Sequence, residues 1–239
     1  MTELLYQTDS YQREFQATIT VIDAEARAVL PDRSAFYPGG GGQPADSGVL
    51  VWQGAALPVE RARKGSEGIW HVLTADAPLP PVGAVVTGQI DWPRRYALMR
   101  THTAMHILCG VVFRDFGALV TGGDMEPLHG RMDFEFESLT KDLVSVIEEA
   151  VNREVAAARP VKVAILPREE AFQIPDLIRT KINLLPPEIS HIRTIELVGL
   201  DLQADGGTHV QNTAEVGRMR VVDYKSKGRI NKRIYVELD

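Results

Sequence analysis

One change of texture constrains this chain more than any other feature. For the first ninety residues no stretch sustains a helical period; at Asp91 a run without breakers begins. Before it, "QATITVIDA", "RAVLP", "SGVLVWQ", "GIWHVL" and "AVVTGQI" are β-rich and are separated by Gly, Pro and Asp at short intervals. That is the pattern of short strands joined by turns, and it closes most simply as a small β-barrel or sandwich. From Asp91, "DWPRRYALMRTHTAMHILCGVVFRDFG" offers an Asp N-cap and an early proline, then continues to Gly110 and beyond. A helix of about four to six turns is expected there.

A second long helix is expected in "SLTKDLVSVIEEAVNREVAAARP", where Leu143, Ile147, Val151 and Val155 recur every four residues and Pro160 stops the run. "VKVAILP" reads as a buried strand and "REEAFQI" as a short helix; "HIRTIELVG", "EVGRMRVVDYK" and "GRINKRIYVEL" return to strands. The expected fold class is therefore α+β, with a small β-barrel-like domain over residues 1–90 and an α+β domain over residues 91–239. A length of 239 residues accommodates two such domains. The lone cysteine, Cys109, excludes an internal disulfide and reads as a small buried hydrophobe. No apolar run approaches the roughly 20 residues that span a bilayer, and the opening "MTELLYQTDSYQREF" is polar and mixed rather than signal-like. These features predict a soluble cytoplasmic protein with no membrane partner.

The chain has 6 histidines, and two of them, His102 and His106 in "RTHTAMH", lie four apart. On a helix they project from one face, within reach of one ion. The residue after His102 is Thr103, not the glutamate that acts as general base in the His-Glu-x-x-His metalloprotease pattern. His209 sits in "LQADGGTHVQNT", a turn where Gly206 and Gly207 permit positive φ and close approach to a ligand, and Thr208 adds a hydroxyl. A second Gly-rich segment, "SAFYPGGGGQPADSG", exposes backbone N–H groups able to hold an oxygen, with Gln43 as its polar finger. His71 and His191 have no partner pattern; His129 is a candidate to line a cleft.

Together these stretches resemble the editing domain of alanyl-tRNA synthetase and its free-standing relatives, the AlaX trans-editing proteins. The family's His-x-x-x-His helix matches His102 and His106. Its Cys-Gly-Gly-Thr-His turn matches Asp205-Gly206-Gly207-Thr208-His209, and its upstream Gly-Gly-Gln matches Gly41-Gly42-Gln43. The resemblance spans nearly the whole chain and is to the medium-length form. It implies an editing domain of the threonyl/alanyl-tRNA synthetase type, a zinc ion (Zn2+) held by His102, His106 and His209, and hydrolysis of the ester in mischarged alanine tRNA. One departure stands out, because the family's cysteine is Asp205 here. Either this harder ligand completes the site, or three histidines hold the metal with water or substrate in the fourth position. Gln203 is a further candidate.

The resemblance also implies a selection problem. A pocket for alanine separates glycine or serine from it by only about 1–3 kcal/mol. An editing site for Ser-tRNA(Ala) spares alanine by requiring a bond to the serine hydroxyl; Gly-tRNA(Ala) is a further candidate substrate. Gln43 and Thr103 are the expected catalytic side chains, with Ser34, Gly41, Gly42, Gly207 and Thr208 expected to bind substrate. The metal either lowers the pKa of a bound water or grips the substrate while a positioned water attacks. The net charge is −6, yet seven basic residues lie between Arg218 and Arg233 against one acid, Asp223. Lys225, Lys227, Arg229, Lys232 and Arg233 are expected to contact tRNA phosphates. Arg94 and Arg95 are expected on the surface of the histidine helix. Two rival readings share the histidines: a metal hydrolase of another small ester or amide, and a non-catalytic RNA-binding module with a structural zinc.

Overall fold

The computed structural model describes residues 2–180 and 189–239. The chain forms two compact units, Met1–Ala97 and Leu98–Asp239.

The first unit holds β1 (Glu3–Leu4), β2 (Glu14–Asp23), β3 (Ala28–Pro31), β4 (Arg33–Ser34), β5 (Gly48–Trp52), β6 (Ala55–Gly65), β7 (Gly68–Leu73) and β8 (Val85–Ile90). β1 and β4 pair in parallel, and the other six close into a barrel in the order β2-β3-β7-β6-β5-β8. Along β2, Phe15, Ala17 and Ile19 point inward between more exposed neighbours, the period-2 alternation of a strand with one buried face. Phe36, Leu50, Leu57 and Ile69 join them in the barrel core. Closure leaves the barrel strands no free edge. β6 escapes the sequence reading because Pro58 and the charges Glu60, Arg61, Arg63 and Lys64 mask it, although Leu57, Val59 and Ala62 keep the inward rhythm. Pro58 is tolerated beside a register shift at Val59/Arg61 in the pairing with β7, where the hydrogen-bond ladder is already interrupted.

Asp91 caps the first helix as expected, its Oδ1 accepting from the Arg94 N–H at 3.2 Å. α1 (Trp92–Phe116) has 25 residues, about seven turns and longer than anticipated. Every residue from Thr101 to Val112 is buried, so α1 is a core helix rather than an amphipathic one. Gly110 does not end it. Instead the missing side chain lets the helix seat on Leu200 and Asp201: a Cβ there would lie 2.9 Å from the Asp201 Cβ.

The second unit continues with β9 (Val120–Glu126), β10 (His129–Glu135), α2 (Lys141–Ala156), β11 (Val161–Pro167), α3 (Arg168–Ala171), β12 (His191–Leu197), β13 (Asp201–Ala204), β14 (Met219–Ser226) and β15 (Asn231–Leu238). A four-stranded antiparallel sheet runs β14-β15-β10-β9. α1 presses close to it at Gly130, where a Cβ would meet the Met105 Sδ at 2.7 Å. Thr140 caps α2 by accepting from the Leu143 N–H, and α2 in turn covers the edge strand β14. Asn152 exchanges two hydrogen bonds with the Met219 backbone, and Glu148 accepts from the Val221 N–H at 2.7 Å. The remaining strands form a separate antiparallel sheet, β11-β12-β13. β11 corrects the sequence reading: it is an exposed edge strand, with Val163 and Ile165 at 40% and 42% exposure. Its apolar run resembled a buried strand, and the buried partner is β12 beside it.

Candidate metal centre

Four side chains of the second unit converge. His102 and His106 leave one face of α1, Asp205 follows β13, and His209 closes the turn after it; one ligand atom from each lies within 4.8 Å of every other. His102 Nε2 is 3.4 Å from Asp205 Oδ1, His106 Nε2 is 4.0 Å from the same oxygen, and His209 Nε2 is 3.1 Å from Asp205 Oδ2. The imidazole centroids are 4.2 to 5.2 Å apart. All three histidines are buried, and the Asp205 side chain is 14% exposed.

The outer faces of the rings are held from elsewhere. Thr103 Oγ1 lies 3.2 Å from His209 Nδ1 and accepts from the Val210 N–H at 3.2 Å. When that oxygen takes the Nδ1 proton, the Nε2 lone pair points into the cluster. His106 Nδ1 is buried and lacks an aligned hydrogen bond, although Asp201 Oδ2 stands 3.4 Å away. The turn does not use left-handed glycines as anticipated, since neither Gly206 nor Gly207 has a positive φ. Asp205 closes it instead, its Oδ2 accepting from the Gly207 N–H at 2.6 Å. Arg193 donates to the Asp205 carbonyl at 3.0 Å and reaches to 3.8 Å from its Oδ2.

These surroundings favour the metal-ligating form at two of the four groups, Asp205 and His209. Burial opposes ionisation of Asp205, but the charge of His102 and the hydrogen bonds of His102 and His209 outweigh it and hold the carboxyl well below its ordinary range. Burial, reinforced by the positive charge of His102, keeps the His209 pKa well below that of a free imidazole. For His106 burial is overcome by Asp201 and Asp205, and its pKa rises. An anionic carboxylate and a neutral imidazole are the forms that ligate metal. Three imidazole nitrogens and one carboxylate oxygen also form a donor set zinc accepts. The N···O spacings, two to Asp205 Oδ1 and one to its Oδ2, bracket the roughly 3.3 Å between ligands around a tetrahedral ion with 2.0–2.1 Å bonds.

The other anticipated residues are distributed more widely. Ser34, Gly41, Gly42 and Gln43 belong to the first unit. Ser34 is fully buried, its Oγ 3.0 Å from His71 Nε2 and accepting from the Phe36 N–H. Burial pushes the His71 pKa down to about 4. Gly39 to Gly42 all take positive φ, from +59° to +129°, so that run does require glycine. Tyr37 donates to the Gly40 carbonyl at 2.9 Å, and Asp46 accepts from the Tyr37 N–H at 2.6 Å. Asp46 is gripped in turn by Arg95, which is 0% exposed and therefore not a surface residue. A buried guanidinium needs many acceptors, and Arg95 also donates to the Ser10 and Ala35 carbonyls.

In the second unit Thr208 is buried and His129 is exposed. Cys109 is buried and burial pushes its thiol pKa up, an inert setting. Of the five basic residues expected to contact tRNA, Lys225, Lys227 and Arg229 are exposed. Lys232 instead donates to the Gly228 and Arg229 carbonyls, and Arg233 is clasped by both Asp133 oxygens at 2.6 and 2.7 Å. The sequence reading passed over Asp201, Arg179 and Arg193. Asp201 lies four residues before Asp205 in "DLQAD", but nothing local separates it from a solvated acid.

A closed barrel, an α+β unit and a buried three-histidine, one-carboxylate cluster define a class, proteins with an internal site able to hold a metal ion. A family model described as tRNA synthetases class II (A) matches residues 6–94. Another, described as Threonyl and Alanyl tRNA synthetase second additional domain, matches residues 192–235. The alanyl-tRNA editing protein AlaX-M of Saccharolobus solfataricus is 42% identical over 98% of both chains. AlaX-M of Methanosarcina acetivorans is 36% identical over 100% of this chain and 99% of its own. An alanine–tRNA ligase of Pyrobaculum neutrophilum matches at 37% identity, with 92% of this chain covering 25% of that enzyme. The chain belongs to the AlaX-M family of alanyl-tRNA editing proteins, which places it among the editing hydrolases. No helix among the described residues is long and apolar enough to cross a membrane.

Proposed function

We propose that this chain is a free-standing deacylase that hydrolyses the aminoacyl ester of mischarged alanine tRNA, Ser-tRNA(Ala) and Gly-tRNA(Ala), at a zinc centre held by His102, His106, His209 and Asp205. The observation that carries the reading is the convergence of three imidazoles and a carboxylate in a chain whose relatives are named editing proteins. When bound, zinc supplies Lewis acidity toward a carbonyl or water oxygen. The protein's own part is preparation. Asp205 is kept ionised, His209 is kept neutral, and Thr103 orients His209 through its outer nitrogen. Thr103 therefore acts by positioning in this reading. The Gly207–Thr208 backbone remains the proposed contact to the aminoacyl end, and the exposed Lys225, Lys227 and Arg229 the proposed contacts to tRNA phosphates.

The test is a deacylation assay with Ser-, Gly- and Ala-charged alanine tRNA, run on the zinc-loaded protein and on protein stripped by chelator. Rapid release of serine or glycine, sparing of alanine, and loss of activity on stripping with recovery on zinc addition are expected. Full activity in the stripped, folded protein would refute the metal's role. Cleavage of small free esters without cleavage of charged tRNA would assign the centre to another substrate.

A further inference from the structure

Asp201 lies outside the four-residue cluster, yet it is anchored like a working part. Its side chain is 0% exposed. Its Oδ1 accepts from Arg179 Nε at 3.2 Å, and its Oδ2 accepts from Gln203 Nε2 at 2.5 Å. Arg179 is itself stacked over the Phe113 ring of α1, 3.9 Å from its centroid, so the guanidinium that holds the acid is fixed in turn. Isolating an anion from water is costly unless it is paired and hydrogen-bonded, and both conditions are met here. The same Oδ2 stands 3.4 Å from His106 Nδ1, a buried nitrogen with no aligned hydrogen bond. The opposite nitrogen, Nε2, faces Asp205. Gly110 brings these groups together, because its bare backbone lets α1 sit on the Leu200–Asp201 turn.

An imidazole that ligates through one nitrogen carries its proton on the other, and the partner of that proton fixes tautomer, ring angle and donor strength. His209 meets a hydroxyl there, that of Thr103. His106 meets a carboxylate. We propose that Asp201 is a positioning residue of the metal centre: its Oδ2 accepts the Nδ1 proton of His106 and so turns the Nε2 lone pair toward the ion, while Arg179 and Gln203 hold the carboxylate at the required angle. This rests on the cluster being a metal centre.

Zinc affinity, measured on the full chain by competition with a chromophoric chelator, tests the proposal without any reliance on activity. Asp201→Asn keeps the shape and removes the anionic acceptor; about 10- to 100-fold weaker zinc binding is expected. The visible spectrum of the cobalt-substituted protein should shift with it, and Asp201→Glu should recover part of the affinity. A residue with a merely structural role would lower the unfolding midpoint and leave both metal readouts unchanged; zinc affinity within two-fold of wild type in folded Asp201→Asn would overturn the proposal. Should that variant not fold, Gln203→Leu loosens Oδ2 while leaving the Arg179 pair intact. A several-fold loss of zinc affinity then supports the proposal, and unchanged affinity overturns it. Failure of the wild-type chain to bind zinc is a different result, one that removes the metal centre itself.

Discussion

At the scale of single residues, Asp205 has two tasks that a cysteine would divide differently. Its carboxylate spans the histidine cluster, with one oxygen toward His102 and the other toward His209, and also closes its own turn through the Gly207 N–H. A thiolate has one ligating atom and is a weak acceptor for a backbone N–H. His71 presents the opposite problem, a titratable ring inside the barrel whose burial disfavours its charge. Its pKa in the fold is about 4, against 6.5 for a free imidazole. On acidification the unfolded chain takes up this proton first, so the stability that neutral His71 permits is complete above pH 6.5 and is lost as pH falls toward 4. From pH 7 to pH 5 this costs about 2 kcal/mol. Urea unfolding of the metal-free protein at these two pH values should show His71→Gln losing less stability than wild type by that amount. Equal losses would mean that other groups govern the acid limb.

At the scale of elements, α1 decides most of what the second unit can do. The period of 3.6 residues places His102 and His106 on one face, and this much is readable from "RTHTAMH" alone. The helix runs about one turn past the four to six turns expected, and Gly110 lies inside it. In an exposed helix, replacing glycine raises stability through propensity, by up to about 1 kcal/mol for alanine. Here the replacement meets the Asp201 Cβ at 2.9 Å and the Leu200 Cγ at 3.0 Å. Gly110→Val should therefore destabilise the protein by about 1–3 kcal/mol through overpacking, read as a lowered urea midpoint. A neutral or stabilising effect would show that the turn yields without strain. β6 and β11 mark the opposite limits of local reading. Charges and Pro58 hid a barrel strand, while an apolar run suggested burial for an edge that faces solvent.

At the scale of the whole molecule, charge is unevenly shared. The chain carries −6 overall, but its longest basic stretch is the β14–β15 hairpin. Counting basic residues overstates what this hairpin offers a polyanion, since Lys232 and Arg233 already have internal partners. Replacing Lys225, Lys227 and Arg229 with alanine together should weaken tRNA binding and flatten its salt dependence. Every phosphate that is no longer neutralised takes about 0.7–0.9 from the slope of log K against log salt. Lys232→Ala and Arg233→Ala should lower the unfolding midpoint and leave that slope nearly as it was. Binding isotherms over a salt series separate the two groups; an unchanged slope in the triple variant would remove the hairpin from the tRNA interface.

Sequence alone determined the strand-rich start, the two long helices, the histidine pair and the family motifs, because each is written in neighbouring residues through a period of 2 or 3.6 or a fixed order of side chains. Tertiary structure alone decided that Asp201 stands beside His106, that Arg95 is buried on Asp46, that β11 lies open and that only some of the hairpin cations reach solvent. These outcomes depend on groups up to a hundred residues away, as in the pairing of Arg233 with Asp133. Burial and pairing are properties of the assembled neighbourhood, and residues near in sequence carry no record of which distant group will fill it.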